Sequence, residues 1–144
     1  MSASVLFICS GNYYRSRFAE HFFQHLANQA NSDARAFSRA MATDLAGRNP
    51  GPISPHALRG LQQRGIELET PIRFPRSLSE TDLKLATHII AVKESEHRPW
   101  MDTRFPAWTS RVEFWRIDDI DVASPDDALP LLEARVRETF ERVR

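Results

Sequence analysis

A doubly wound parallel α/β sheet of about four strands, with helices on both faces, is the fold this sequence predicts. Two patterns carry the expectation. Residues 5–9 and 88–92 are short, continuous apolar runs, the pattern of strands buried on both faces of a parallel sheet. Segments with helical periodicity alternate with the strand candidates, which implies parallel pairing with helices packed on each side. A chain of 144 residues also suits a single domain, 1–144, with one sizeable core.

Each element has its own signal. After the first strand, 16–28 reads as a helix whose apolar stripe is Phe18, Phe22, Phe23 and Leu26. Residues 35–40 form the second strand. The stretch 41–53 is rich in Gly, Pro and Asn and reads as a loop. Ser54-Pro55 opens a helix that runs through Gln63 and stops at Gly65. Residues 67–76 are irregular. Ser79, with Asp82 three positions on, starts a short helix. After the strand at 88–92, residues 95–101 form a helix that Pro99 limits, and 112–115 make the fourth strand. An acidic loop at 118–127 leads to Ser124-Pro125, which caps a terminal helix. Leu129, Leu132, Val136, Phe140 and Val143 share one face of that helix, and Pro130 sits early enough in it to shift its start.

The chemistry concentrates at 9–16, Cys-Ser-Gly-Asn-Tyr-Tyr-Arg-Ser, between the end of the first strand and the start of the first helix. A loop in that setting aims its backbone N–H groups at one point and adds the positive end of the helix dipole. Such a concavity binds a tetrahedral oxyanion and favours a thiolate. Cys9 at its mouth is the candidate nucleophile, and Arg15 can clamp two oxygens in a bidentate fork. Ser10, Gly11, Asn12, Tyr13 and Tyr14, with Arg15, form the candidate phosphate-binding loop. Asn12 tolerates the left-handed backbone that a tight loop of this kind needs.

This segment resembles the low-molecular-weight protein tyrosine phosphatases, whose signature reads Cys-x-Gly-Asn-x-x-Arg-Ser near the N-terminus. Ala19-Glu20 continues the likeness. Weaker echoes are Phe37-Ser38, Gly47-Arg48-Asn49-Pro50, and Arg76-Ser77-Leu78-Ser79 with Asp82. The resemblance implies the family's flavodoxin-like fold, with the site at the carboxyl ends of the strands. It implies hydrolysis of a phosphate monoester through a phosphocysteine on Cys9. It also implies that the Ser16 hydroxyl assists the thiolate, with Asn12 and Ser38 in the supporting network. A phosphorylated substrate is then the expected partner, a phosphotyrosine protein or a small aryl phosphate.

The general acid is where this chain departs from the family. Members carry an Asp-Pro pair after the last strand, and here that region reads Asp118-Asp119-Ile120-Asp121 with no proline following. Alignment of the preceding strand and the following helix favours Asp119, then Asp118, then Asp121. Tyr14 stands where many members have a second cysteine. The loop at 43–45 lacks the tryptophan that commonly lines the mouth, so Tyr13 and Tyr14 are the candidate aromatic wall. Lys93 replaces the usual acidic residue after the third core strand, and Arg73 stands where many members carry histidine.

Composition narrows the classes further. Lys plus Arg total 19 and Asp plus Glu total 19, which gives no reason to expect nucleic acid or an anionic membrane as partner. A single cysteine cannot form an internal disulfide, and no signal peptide is read at the N-terminus. A cytoplasmic monomer or weak dimer is expected. No metal or other cofactor is expected: His21 and His25 lie one helical turn apart but have no third ligand nearby. Two other readings use the same loop. One is arsenate reduction with an external thiol; the other is a non-catalytic oxyanion-binding module that lost its acid.

Overall fold

The computed structural model describes residues 2–41 and 49–144. The echo at Gly47-Arg48 and the 43–45 loop therefore lie outside the described residues. Four parallel strands form one sheet: β1 (Ser4–Cys9), β2 (Arg35–Ala40), β3 (His88–Ala91) and β4 (Val112–Phe114). Their order is β2-β1-β3-β4. Phe7 of β1 pairs with Ser38 on one side and Ile90 on the other. The chain winds outward from β1 in both directions, so the crevice beyond the carboxyl ends of β1 and β3 is the switch point. Ligands bind at such crevices in open α/β sheets. Cys9 is the last residue of β1.

Alternation along β1 divides the core in two. Val5, Phe7 and Cys9 face the side covered by α1 (Arg15–Gln29), α2 (Pro55–Gln63) and α5 (Pro125–Val143). Leu6 and Ile8 face Leu83 of α3 (Glu80–Leu85) and Met101 of α4 (Glu94–Arg104). Phe23 meets Phe7 and Phe140 edge-on, with ring centroids 6.1 and 5.5 Å apart, locking α1 between the sheet and α5. A Cβ on Gly60 would come within 2.5 Å of Leu129 Cδ1, so α2 approaches α5 closely because this position lacks a side chain.

The helix ends follow the local chemistry. Ser54 Oγ accepts from the His56 N–H at 3.1 Å, and Gly65, at φ +76°, follows the helix it opens. Ser79 and Asp82 form a reciprocal capping box at α3. Four expectations need correction. Helix α1 starts at Arg15, one residue before the predicted Ser16. Helix α4 runs over Glu94–Arg104, so Pro99 does not limit it; its ring lies past the first turn and costs only one internal bond. Ser124 precedes α5, but its side chain makes no capping bond. Its carbonyl instead accepts from the N–H groups of Asp127 and Ala128. Pro130 lies inside α5 and leaves the start at Pro125. A 3₁₀ segment, Pro106–Arg111, which the sequence did not suggest, leads into β4.

Candidate active site

The turn between β1 and α1 wraps a cleft of about 350 Å³. Cys9, Ser10, Gly11, Tyr13, Tyr14 and Arg15 line it from below, with Asp119 and Ile120 on one wall and Asn49, Pro50, Ser54, Pro55 and His56 on the other. The Cys9 side chain is almost fully buried. Its Sγ lies 2.9 Å from Ser16 Oγ.

A buried network behind the loop sets the direction of that contact. Asn12, held at φ +52°, has no exposed surface, and its side chain turns away from the cleft. Its Nδ2 donates to Ser16 Oγ at 2.9 Å and to Ser38 Oγ at 2.8 Å. Its Oδ1 accepts from Arg73 Nη1 and the Arg76 N–H, which fixes the amide's orientation. Ser16 Oγ already accepts from Asn12, so its own proton is free to point at Cys9 Sγ. That is the arrangement that stabilises a thiolate. The Ser38 hydroxyl donates to Glu20 Oε1, which also accepts from Arg73 Nη2 at 3.1 Å. Arg73 thus completes the supporting network from the 67–76 segment.

Arg15 is the centre of the charged half. Its guanidinium is nearly fully buried. Nη1 donates to the Ile117 carbonyl at 2.9 Å, and Nη2 reaches Glu96 Oε1 at 3.2 Å and Asp119 Oδ2 at 3.3 Å. Burial alone would push its pKa down, but the negative charge of Cys9, Asp119 and Glu96 outweighs it and holds the pKa above the ordinary value. Glu96 Oε1 also accepts from Ser10 Oγ at 3.0 Å. Burial raises the Glu96 pKa, but Arg15 and the Ser10 hydrogen bond more than offset it and keep the group below its ordinary range.

His97 completes this corner. Its Nδ1 accepts from the Lys93 N–H, so in the neutral ring the proton sits on Nε2, which donates to Ser10 Oγ at 3.1 Å. Burial, reinforced by Arg15, lowers its pKa to about 4.

The three candidate acids are separated in space. Asp119 lines the cleft and touches Arg15. Asp118 is bound to Lys93 Nζ at 2.8 Å, a bond that raises the Lys93 pKa. Asp121 is exposed and does not line the cleft. Tyr13 and Tyr14 both line it. The Tyr13 hydroxyl donates to the Pro50 carbonyl at 2.6 Å. Tyr14 packs edge-on against His56, and burial with the nearby Asp119 pushes its pKa up to about 12, so it stays a neutral phenol. Arg17, fully buried, grips the Pro52 carbonyl at 2.7 Å and anchors the same wall from beneath.

The structure therefore brings Cys9, Ser10, Gly11, Tyr13, Tyr14, Arg15 and Asp119 to one cleft, with Asn12, Ser16 and Ser38 behind it. Asp118 and Asp121 lie outside. Glu96, His97, His56 and the Ile117 carbonyl carried no signal in the sequence. Glu96 and His97 stand in the first turn of α4 and meet Arg15 and Ser10 through tertiary folding, far from them along the chain, and a carbonyl has no sequence signature. Among the described residues no three His, Cys, Asp or Glu side chains converge as a metal site. No described helix is long and apolar enough to cross a membrane.

The profile of the low molecular weight phosphotyrosine protein phosphatases matches residues 4–143. No curated protein sequence matches the chain significantly. Among solved structures, the low molecular weight protein tyrosine phosphatase of T. tengcongensis is 22% identical, with a TM-score of 0.80 over 98% of this chain and 99% of its own. Vibrio vulnificus Wzb, solved with benzylphosphonate, is 16% identical with a TM-score of 0.81 over 99% of both chains. A YwlE arginine phosphatase, solved as a cysteine-to-serine mutant with a phosphorylated active-site serine, is 20% identical. Its TM-score is 0.78 over 96% of this chain and 94% of its own.

Proposed function

The chain belongs to the low molecular weight phosphotyrosine protein phosphatase family, and from that premise we propose that it hydrolyses phosphate monoesters through a phosphocysteine on Cys9, with Asp119 as the general acid. Membership makes it a cysteine-dependent phosphatase acting on phosphorylated substrates. The observation that carries the finer reading is that Cys9 and Asp119 face one cleft with Arg15 between them.

In the first step Cys9 Sγ attacks phosphorus. The S–P bond forms as the bond to the leaving oxygen breaks, and the Asp119 carboxyl gives that oxygen its proton. Arg15 and the loop N–H groups of residues 10–15 hold the equatorial oxygens. An incoming phosphate oxygen would take the place of Asp119 on Nη2, releasing the carboxyl toward the leaving group. In the second step water attacks phosphorus, the Asp119 carboxylate takes its proton, and the S–P bond breaks. The thiolate leaves onto the Ser16 hydroxyl.

The cleft walls favour an aromatic leaving group. Tyr13, Tyr14, His56, Pro50 and Ile120 offer ring faces and apolar edges beside the phosphate position. A phosphotyrosine side chain or a small aryl phosphate fits that lining. The wild-type chain should turn over p-nitrophenyl phosphate, and Cys9→Ser should abolish turnover, because no base stands by to activate a hydroxyl there. Wild-type protein that binds phosphate but does not turn over the ester would replace this reading with that of an oxyanion-binding module.

A further inference from the structure

We propose that Glu96 is the positioning residue that fixes the Arg15 fork during catalysis, while Lys93 at the end of β3 keeps the rest of the acid loop off that fork. The proposal rests on the phosphatase reading above. A buried guanidinium donates in a fixed plane, so two anchors on different nitrogens set its orientation. Nη1 is anchored to the Ile117 carbonyl just past β4. Nη2 has two carboxylate partners, Glu96 and Asp119. Asp119 must leave Nη2 to deliver its proton, which leaves Glu96 as the carboxylate that stays.

The surroundings of Glu96 suit a fixed role. Its Oε1 is shared between Arg15 and the Ser10 hydroxyl, and Ser10 is held in turn by His97. One carboxylate oxygen therefore ties the guanidinium to the first residue of the phosphate loop. Its Oε2 lies 3.4 Å from Lys93 Nζ, which offsets part of the negative charge that a bound phosphate would meet. The same ammonium binds Asp118 at 2.8 Å. Lys93 thus holds the neighbouring carboxylate outside the cleft, and Asp119 is left as the acid-loop carboxylate on Arg15. A basic residue at the strand end cannot itself orient an arginine, so a carboxylate three positions on, at the third residue of α4, does so.

The test compares Glu96→Ala, Glu96→Asp and, as a control on the same helix turn, Glu94→Gln, whose native side chain pairs with Arg98 on the helix surface. Loss of a charge-assisted bond that orients the fork should lower kcat about thirtyfold in Glu96→Ala, with KM within about threefold. Glu96→Asp should recover part of the loss, and Glu94→Gln should match wild type.

Binding measured by calorimetry reads the fork without turnover. Vanadate, which adopts the five-coordinate geometry of the transition state, should bind Glu96→Ala about tenfold or more weakly, while inorganic phosphate changes little. Wild-type kcat and vanadate affinity in Glu96→Ala would overturn the proposal. So would an equal loss in Glu94→Gln, which would trace the effect to charge at the helix start. Equal weakening of phosphate and vanadate would overturn it too, since Glu96 would then act on ground-state binding. Wild-type protein that turns over no ester, yet shows the vanadate loss in Glu96→Ala, would remove the phosphatase reading and leave the role of Glu96 standing.

Discussion

The loop at 9–16 and the loop at 118–123 reach the same cleft from different strands, and they are held in different ways. The first is buried and closed on itself. Asn12, Ser16 and Ser38 show almost no surface, and each polar atom of the Asn12 side chain is satisfied by protein. The second is tethered mainly by charge. Asp119 is about one-third exposed and meets Arg15, Asp118 meets Lys93, and Ile120 and Val122 are exposed. A nucleophile and its oxyanion donors gain from rigid placement before the substrate arrives. A general acid has to serve the leaving group and then water, which suits a carboxylate held by an exchangeable ion pair.

The difference can be broken first at the rigid side. Arg15→Lys keeps the charge but loses the planar fork, and it cannot satisfy Ile117, Glu96 and a phosphate at once. Turnover should fall on the order of a hundredfold or more. A lysine variant within a few-fold of wild type in steady-state assays would contradict the bidentate clamp.

At the tethered side, Asp119→Asn should lower kcat by roughly a hundredfold on an alkyl phosphate. The loss on p-nitrophenyl phosphate should be smaller, since its leaving group needs little protonation. Asp118→Asn and Asp121→Asn should be milder on both. Leaving-group series on the three variants make the comparison. Wild-type rates for all three on the poor leaving group would move the acid out of this loop.

How legible each side was in the sequence follows from the same contrast. The nucleophile loop is local: strand, turn and helix are consecutive, so Cys9, Asn12, Arg15 and Ser16 announce one another by spacing. Its supports arrive from β2, from 67–76 and from α4. Ser38 was reached through the resemblance. The bond that Arg73 makes to the Asn12 amide was not legible, since only tertiary folding brings those residues together. Asp119 could be ranked above its neighbours by aligning the strand and helix around it, but its pairing with Arg15 could not be read. Glu96 was hidden because the expectation for an acidic residue was attached to position 93, where Lys93 stands. The sheet was plain in its continuous apolar strands, whereas Pro99 was misread because a proline beyond the first turn of a helix is usually a stop.

A smaller effect tests the corner that joins the two sides. The folded state holds His97 at a pKa of about 4, against an ordinary value near 6.5 when unfolded. Between those values the unfolded chain binds the extra proton, so this contribution is complete above about pH 6.5 and is lost as pH falls toward 4. Glu96, also held below its ordinary range, adds a loss of the same sign on acidification. Urea midpoints should therefore drop between pH 6.5 and 4. In His97→Asn the protein should be about 1–2 kcal/mol less stable at pH 7 but flatter across that interval. An unchanged slope in the variant would show that His97 does not carry the proton uptake.

The most direct test is to find where the phosphate goes. Rapid quenching during turnover of p-nitrophenyl phosphate, followed by peptide mass spectrometry, should show phosphate on Cys9 of the wild-type chain. Asp119→Asn, slowed in the hydrolysis step as well, should still form that adduct. Phosphate on any other residue, or steady turnover with Cys9 unmodified at every quench time, would contradict the account.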